Sequence, residues 1–221
     1  MKWNAVALLP VLVALSACEG GTRGSGISAF LLGNVQSVQS AGEAQGSTAQ
    51  RSGLVDASTG SALAGIRVAI EGTRIGATTD ANGNFSMRGN FEGMITVTFE
   101  VPSGGGQAVI ALNVPAGGTL TLNDVTVDAS TGDAVPASQQ VEFDAEISGV
   151  DCPMETAALI SRHHVANDND VYVLRLDTST IYNQDGAVVG CDALHVGEWA
   201  FVQGLVNPDG TFGNATVDLE N

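Results

Sequence analysis

The chain has 221 residues, 44% of them apolar and only 5% aromatic, with 28 glycines and a formal net charge of -16 from 24 acidic against 8 basic side chains. Apolar content at this level supports packed cores, and the length suits two small domains; abundant glycine with few rings favours short strands and turns over long helices. The charge argues against nucleic acid and anionic lipid surfaces as partners, because both are bound by neutralising phosphate with Lys and Arg.

The chain opens with one positive charge, Lys2, followed by an apolar run from Ala5 to Leu15 that Pro10 interrupts. A helix needs roughly twenty apolar residues to cross a bilayer, so the run is read as a signal peptide over 1–17 and not as a span. It ends in Leu15-Ser16-Ala17-Cys18, which resembles the lipobox of bacterial lipoproteins. The resemblance implies a diacylglycerol on the Cys18 sulfur, cleavage before it and acylation of the new amino group. Two or three acyl chains anchor firmly, since each buried CH₂ contributes about 0.8 kcal/mol. Glu19 stands where an aspartate commonly marks inner-membrane retention in Gram-negative lipoproteins, so the resemblance implies the outer membrane.

From Cys18 to Gln50 the sequence is rich in Gly, Ser, Thr and Gln and reads as a flexible spacer. Its one apolar patch, Ile27, Phe30, Leu31, Leu32 and Val35, has room for no more than a short helix.

Residues 51–129 show strand periodicity. Ile66, Val68 and Ile70 alternate with Arg67 and Ala69; Ile95, Val97, Phe99 and Val101 alternate with Thr96, Thr98 and Glu100; Ile110, Leu112 and Val114 continue the phase. The run from Leu120 to Val127 slips at Asn123-Asp124, which predicts a bulge. With turns at Thr59-Gly60, Asn82-Gly83 and Gly104 to Gly106, the pattern predicts a seven-stranded type of β-sandwich. Gly53, Val55-Asp56, Thr59-Gly60, Leu63, Gly65 and Val68, then Thr79-Asp80-Ala81-Asn82-Gly83-Asn84-Phe85, resemble the carboxypeptidase regulatory-like and Cna-B-type fold. The resemblance implies that Leu63 and Phe85 plug the sandwich and that Asp80 with Asn82 shapes a hairpin. Asp80, Asn82 and Asn84 also open a D-x-N-x-N calcium pattern, but Phe91 occupies the twelfth position where a bidentate acid belongs, so the segment reads as a turn. With no lysine after Lys2, a lysine-asparagine isopeptide crosslink is excluded.

Residues 138–220 carry five strand candidates, Val141–Val150, Thr156–His164, Val171–Ile181, Leu194–Val206 and Phe212–Leu219, which suggest a small barrel. Asp177 to Thr180 (D-x-x-T), the run from Leu194 and the segment 208–215 (P-D-G-T-F-G-N-A) resemble a barrel family of unknown function found in exported bacterial proteins, implying an OB-like fold.

If Cys18 is lipidated, Cys152 and Cys191 are the remaining cysteines and an oxidising compartment allows them one pairing. His163 or His164 with His195 and a carboxylate such as Asp151 or Asp170 makes a conceivable metal set, which a Cys152–Cys191 link would draw together. Adjacent histidines on a strand face opposite sides, so surface or packing roles are the commoner reading. No H-E-x-x-H, G-x-S-x-G, C-x-x-C or P-loop occurs. The expectation is an all-β, non-catalytic, cofactor-free envelope protein that binds or scaffolds an envelope protein or glycan partner. Metal binding or sensing is the alternative. Carbohydrate binding is a weaker third reading, disfavoured because the second domain offers only Trp199, Tyr172 and Tyr182 as large stacking rings.

Overall fold

A computed structural model of the protein describes residues 28–39, 63–163 and 171–220. The chain is all-β, as its period-two patterning predicts. In the first half the strands are β1 (Ala29–Gln39), β2 (Arg67–Ile70), β3 (Gly76–Thr78), β4 (Asn84–Gly89), β5 (Gly93–Glu100), β6 (Gln107–Val114), β7 (Thr119–Asp128) and β8 (Asp133–Val135). The ladders β3-β2-β5-β6 and β4-β1-β7 form the two layers of a sandwich. Val68, Val97, Phe99 and Leu112 from one layer meet Leu31, Phe85, Met87, Leu120 and Leu122 from the other, all buried. Phe85 and Phe99 meet edge to face with ring centroids 5.7 Å apart, the arrangement that ring quadrupoles favour.

Strand β1 corrects the reading of residues 18–50 as a flexible linker over Ala29–Gln39; residues 18–27 and 40–50 lie outside the described residues. Ala29, Leu31, Gly33 and Val35 all point inward and are buried, and both strand edges are paired, antiparallel to β4 and parallel to β7. Two ladders satisfy the backbone groups of this segment on both sides, and burial of Leu31 and Val35 offsets the ordering entropy that its composition alone could not. The predicted slip in β7 is present. Asp124 takes φ 53°, and Asn34 of β1 clasps it, its Oδ1 accepting from the Asp124 amide at 3.0 Å and its Nδ2 donating to Asp124 Oδ1 at 3.1 Å.

The second half contains β9 (Ser138–Asp151), β10 (Thr156–Ser161), β11 (Val171–Arg175), β12 (Thr180–Tyr182), β13 (Val188–Val189), β14 (Trp199–Val206) and β15 (Phe212–Glu220). Pairing runs β9-β10-β11-β15-β14 and back to β9, so five strands close into a ring. The long β9 makes closure possible by pairing with β14 over Gln140 to Glu146 and with β10 over Ala145 to Asp151. Inside, Tyr172 stacks on Phe212 at 5.3 Å, and Phe143 meets both edge to face. The strand predicted over Val171–Ile181 is broken by a 3-10 turn at Leu176–Thr178, after which β12 runs parallel to β15 and forms a hairpin with β13.

The two halves share a sheet. β7 pairs with β9 from Thr119↔Glu142 to Asn123↔Ser138, and β8, at the join between the expected domains, pairs with β7 on the same edge. Gly118 allows this approach, since a Cβ there would lie 2.9 Å from the Glu142 carbonyl and 3.0 Å from Phe143 Cβ. The buried Ser161 hydroxyl donates to the Ala116 carbonyl at 2.7 Å across the junction.

Candidate binding site at the barrel seam

The ring closes most thinly between β11 and β15, where a single residue pair, Leu174↔Phe212, carries the ladder. Polar side chains take over where the backbone pairing stops. Arg175 leaves the end of β11 and forks onto Asp177, with Nε donating to Oδ1 at 3.2 Å and Nη2 to Oδ2 at 3.0 Å. Ser179 Oγ donates to the Arg175 carbonyl at 2.6 Å and holds the 3-10 turn. From β15, the amides of Asn214 and Ala215 donate to Thr178 Oγ1 and Ser179 Oγ at 3.3 and 3.4 Å. The β14–β15 turn is fixed by Asp209, which accepts from the Thr211 amide at 3.0 Å and from its hydroxyl at 2.6 Å. Gly213 lets the strands approach, because a Cβ would meet Thr178 Oγ1 at 2.9 Å and Asn207 Nδ2 at 3.0 Å.

These groups surround an open hollow of about 360 Å³ lined by Arg175, Thr178, Asn207, Pro208, Asp209 and Asn214. The hydrogen bond from Arg175 and its charge hold the Asp177 carboxyl below its usual range, and the same pair raises Arg175. Hydrogen bonds from the Thr211 hydroxyl and amide lower Asp209. The one cation of the hollow is thus already matched, and Asp209 and Glu155 lie within its field. An anionic ligand gains little there. Amide, hydroxyl and carboxylate groups suit a neutral polar ligand, and no aromatic ring lines the hollow to stack on one. Two of the three segments that carry the barrel resemblance, 177–180 and 208–215, converge on this seam, where the resemblance itself implied no role for them.

The remaining predicted site residues are dispersed. Cys152, in the β9–β10 turn, and Cys191, at the start of a 3-10 turn, form the expected disulfide with Cα atoms 5.7 Å apart. Cys18, His164 and Asp170 lie outside the described residues. The link does not bring His163 to Asp151. Asp151 pairs with Thr156 at the closed end of the β9–β10 hairpin, and His163 follows β10 at the open end, roughly 24 Å away at strand rise. Asp151 instead accepts the Met154 amide at 3.1 Å. His163 Nε2 lies 3.7 Å from Asp144 Oδ2, while His195 is exposed and its backbone amide donates to Glu198 Oε2 at 3.2 Å. Among the described residues, no three His, Cys, Asp or Glu side chains gather as a metal set. Tyr172 is 3% exposed inside the barrel and unavailable to a sugar.

In the sandwich, Asp80 Oδ1 accepts from the amides of Asn82 and Asn84 at 2.8 and 2.9 Å, which makes the segment the predicted turn. Those bonds, the Asn84 amide first, hold the Asp80 carboxyl below its usual range. Thr79 is buried, its hydroxyl donating to the Leu63 carbonyl and accepting from the Ile66 amide at 3.0 Å. Gly83, at φ 80°, leaves room for β1, since a Cβ would lie 2.2 Å from the Val35 carbonyl oxygen. Leu63 and Phe85 are buried as the resemblance implies.

Among the described residues no helix is long and apolar enough to cross a membrane. No curated protein and no solved structure matches the chain. Residues 52–128 match the model of the carboxypeptidase regulatory-like domain family, a stretch that contains strands β2 to β7 of the sandwich.

Proposed function

We propose that the chain is a lipid-anchored, non-catalytic binding module of a bacterial envelope, held at the outer membrane through an acylated Cys18. The observation that carries this reading is Leu15-Ser16-Ala17-Cys18 at the end of a short apolar run behind Lys2. The Cys152–Cys191 disulfide supports an oxidising compartment. The matched sandwich supports a binding role, its family being a non-catalytic domain type.

Pairing of β1 at Ala29 sharpens the reading, because residues 19–28 alone then separate lipid from folded body. About ten residues reach no more than roughly 35 Å when extended, so the sandwich stands near the bilayer. The ring order of the second half supports an OB-like barrel, and such barrels bind through a strand face and the loops at its rim. The seam hollow offers neutral polar contacts at that rim, for an envelope protein or a glycan.

Cells grown with an alkyne-tagged palmitate test the anchor. The protein should carry the tag and sediment with membranes, and Cys18→Ser should do neither. An untagged, soluble wild type would overturn the proposal.

A further inference from the structure

The outer face of the barrel on the β9-β14-β15 side differs in chemistry from the seam. Strand β14 alternates, with Ala200, Val202 and Gly204 inward and Trp199, Phe201, Gln203 and Leu205 outward and partly exposed. The neighbours of its two aromatic residues are acidic on both sides. Trp199 pairs with Glu146 of β9 and Glu220 of β15; Phe201 pairs with Asp144 and Asp218. In the next row Gln203 faces Glu142, donating to it at 2.8 Å, and Thr216. Directly opposed residues of antiparallel strands hold their Cβ atoms about 5 Å apart, so each ring lies between two carboxylates. Rows of like charge on one sheet face forfeit stability when nothing of opposite charge lies between them.

One cation of the chain shows what the face accepts. The Arg162 guanidinium lies over the Trp199 ring, 4.9 Å from its centroid, with Nη1 3.5 Å from Glu220 Oε2. A planar cation on a ring with a carboxylate at its edge is satisfied by ring quadrupole and ion pair together. Phe201 repeats the setting one step along β14, between Asp144 and Asp218, and among the described residues no arginine lies over its ring. The His163 imidazole lies beside this row, its Nε2 3.7 Å from Asp144 Oδ2.

We propose that this face binds an extended basic polypeptide segment of a partner protein, with alternate arginine or lysine side chains seated on Phe201 and over the Glu142–Gln203 row. Alternate residues of an extended peptide repeat every 6.6–6.8 Å or so, the same step that separates successive outward residues of β14. The charge of the whole chain, 24 acids against 8 bases, favours the same partner and steers its approach. The inference rests on the reading of the chain as a binding module and names its partner's chemistry; it does not depend on the lipid.

With Trp3→Phe in the full chain, Trp199 is the sole tryptophan and reports from the site itself. Titration with an acetylated arginine-glycine-arginine-glycine-arginine peptide should change its emission saturably, and a glutamate analogue should not. Asp144→Asn with Asp218→Asn should weaken binding about fivefold, the loss of two exposed charge contacts. The charge-matched pair Glu71→Gln with Asp133→Asn, on the sandwich, should leave it within about twofold. Phe201→Leu, which keeps the bulk and removes the ring face, should weaken it about threefold. No saturable change, equal losses in the two charge variants, or unaltered binding by Phe201→Leu would overturn the proposal. Lipid tagging of Cys18 reads the anchor separately, so failure of one leaves the other standing.

Discussion

Leu31 lies in a segment whose composition reads as tether, yet it pairs with Met87 on one side and Leu120 on the other and is 0% exposed. Leu31→Ala removes buried methyl groups between two layers that cannot both close over the gap. Substitutions of this kind cost about 2–5 kcal/mol, transfer and cavity contributions together. For a chain of this size a urea dependence of roughly 2 kcal/mol per molar converts about 3 kcal/mol into a midpoint about 1.5 M lower. Urea titration followed by far-UV circular dichroism, which reports the strands of both halves, reads this shift, and Trp199 emission beside it tests whether the two halves unfold together. Val188→Ala, at a residue 66% exposed, serves as the control and should change stability by no more than about 0.5 kcal/mol. A Leu31→Ala midpoint that matches the control would refute the placement of β1 in the core.

Joint replacement of Cys152 and Cys191 by alanine removes a link spanning 39 residues, and the chain-entropy relation gives a loss of about 4 kcal/mol, readable as a urea midpoint shift. Gly213→Ala forces a methyl group to within 2.9 Å of Thr178 Oγ1; it should lower stability by about 1–3 kcal/mol in thermal melts, and by less in a Thr178→Ala background. The carboxyls of Asp80, Asp128, Asp177 and Asp209 all lie below their ordinary value of 3.8 in the folded chain. Because the unfolded chain binds protons more readily at these groups, the stability they contribute is complete above about pH 4 and is lost as pH falls through their lowered values. Urea midpoints should therefore drop on going from about pH 5 to about pH 3, and Asp80→Asn should flatten part of that fall.

The sandwich strands were legible where one face is solvated. In β5, Ile95, Val97 and Phe99 alternate with Thr96, Thr98 and Glu100, and in β6 Leu112 and Val114 flank Asn113; even the bulge of β7 showed as a broken phase. β1 was not legible, because its pairing to β7 shifts register twice and the surrounding Gly, Ser and Gln dilute its apolar content. What places it is long-range pairing with residues about fifty and ninety positions away. The union of the halves is of the same kind, since the β7–β9 ladder and Ser161 with Ala116 are tertiary contacts that no local pattern announces. Counting cysteines found the disulfide, but its reach was overextended: a link at the closed end of a hairpin cannot gather a histidine at the open end. At the seam the residues were singled out while their work was not, because closing a barrel through Thr178, Ser179 and Asn214 needs the break at Leu176–Thr178, which reading Val171 to Ile181 as one strand conceals.

Mass spectrometry of the tryptic amino-terminal fragment of the protein from its native membranes reads the anchor at the atom concerned. The account predicts the fragment Cys18-Glu19-Gly20-Gly21-Thr22-Arg23 carrying diacylglycerol on sulfur and an acyl group on the new amino terminus. The same six residues with a free thiol, or joined to Ala17 by an uncut peptide bond, would contradict it.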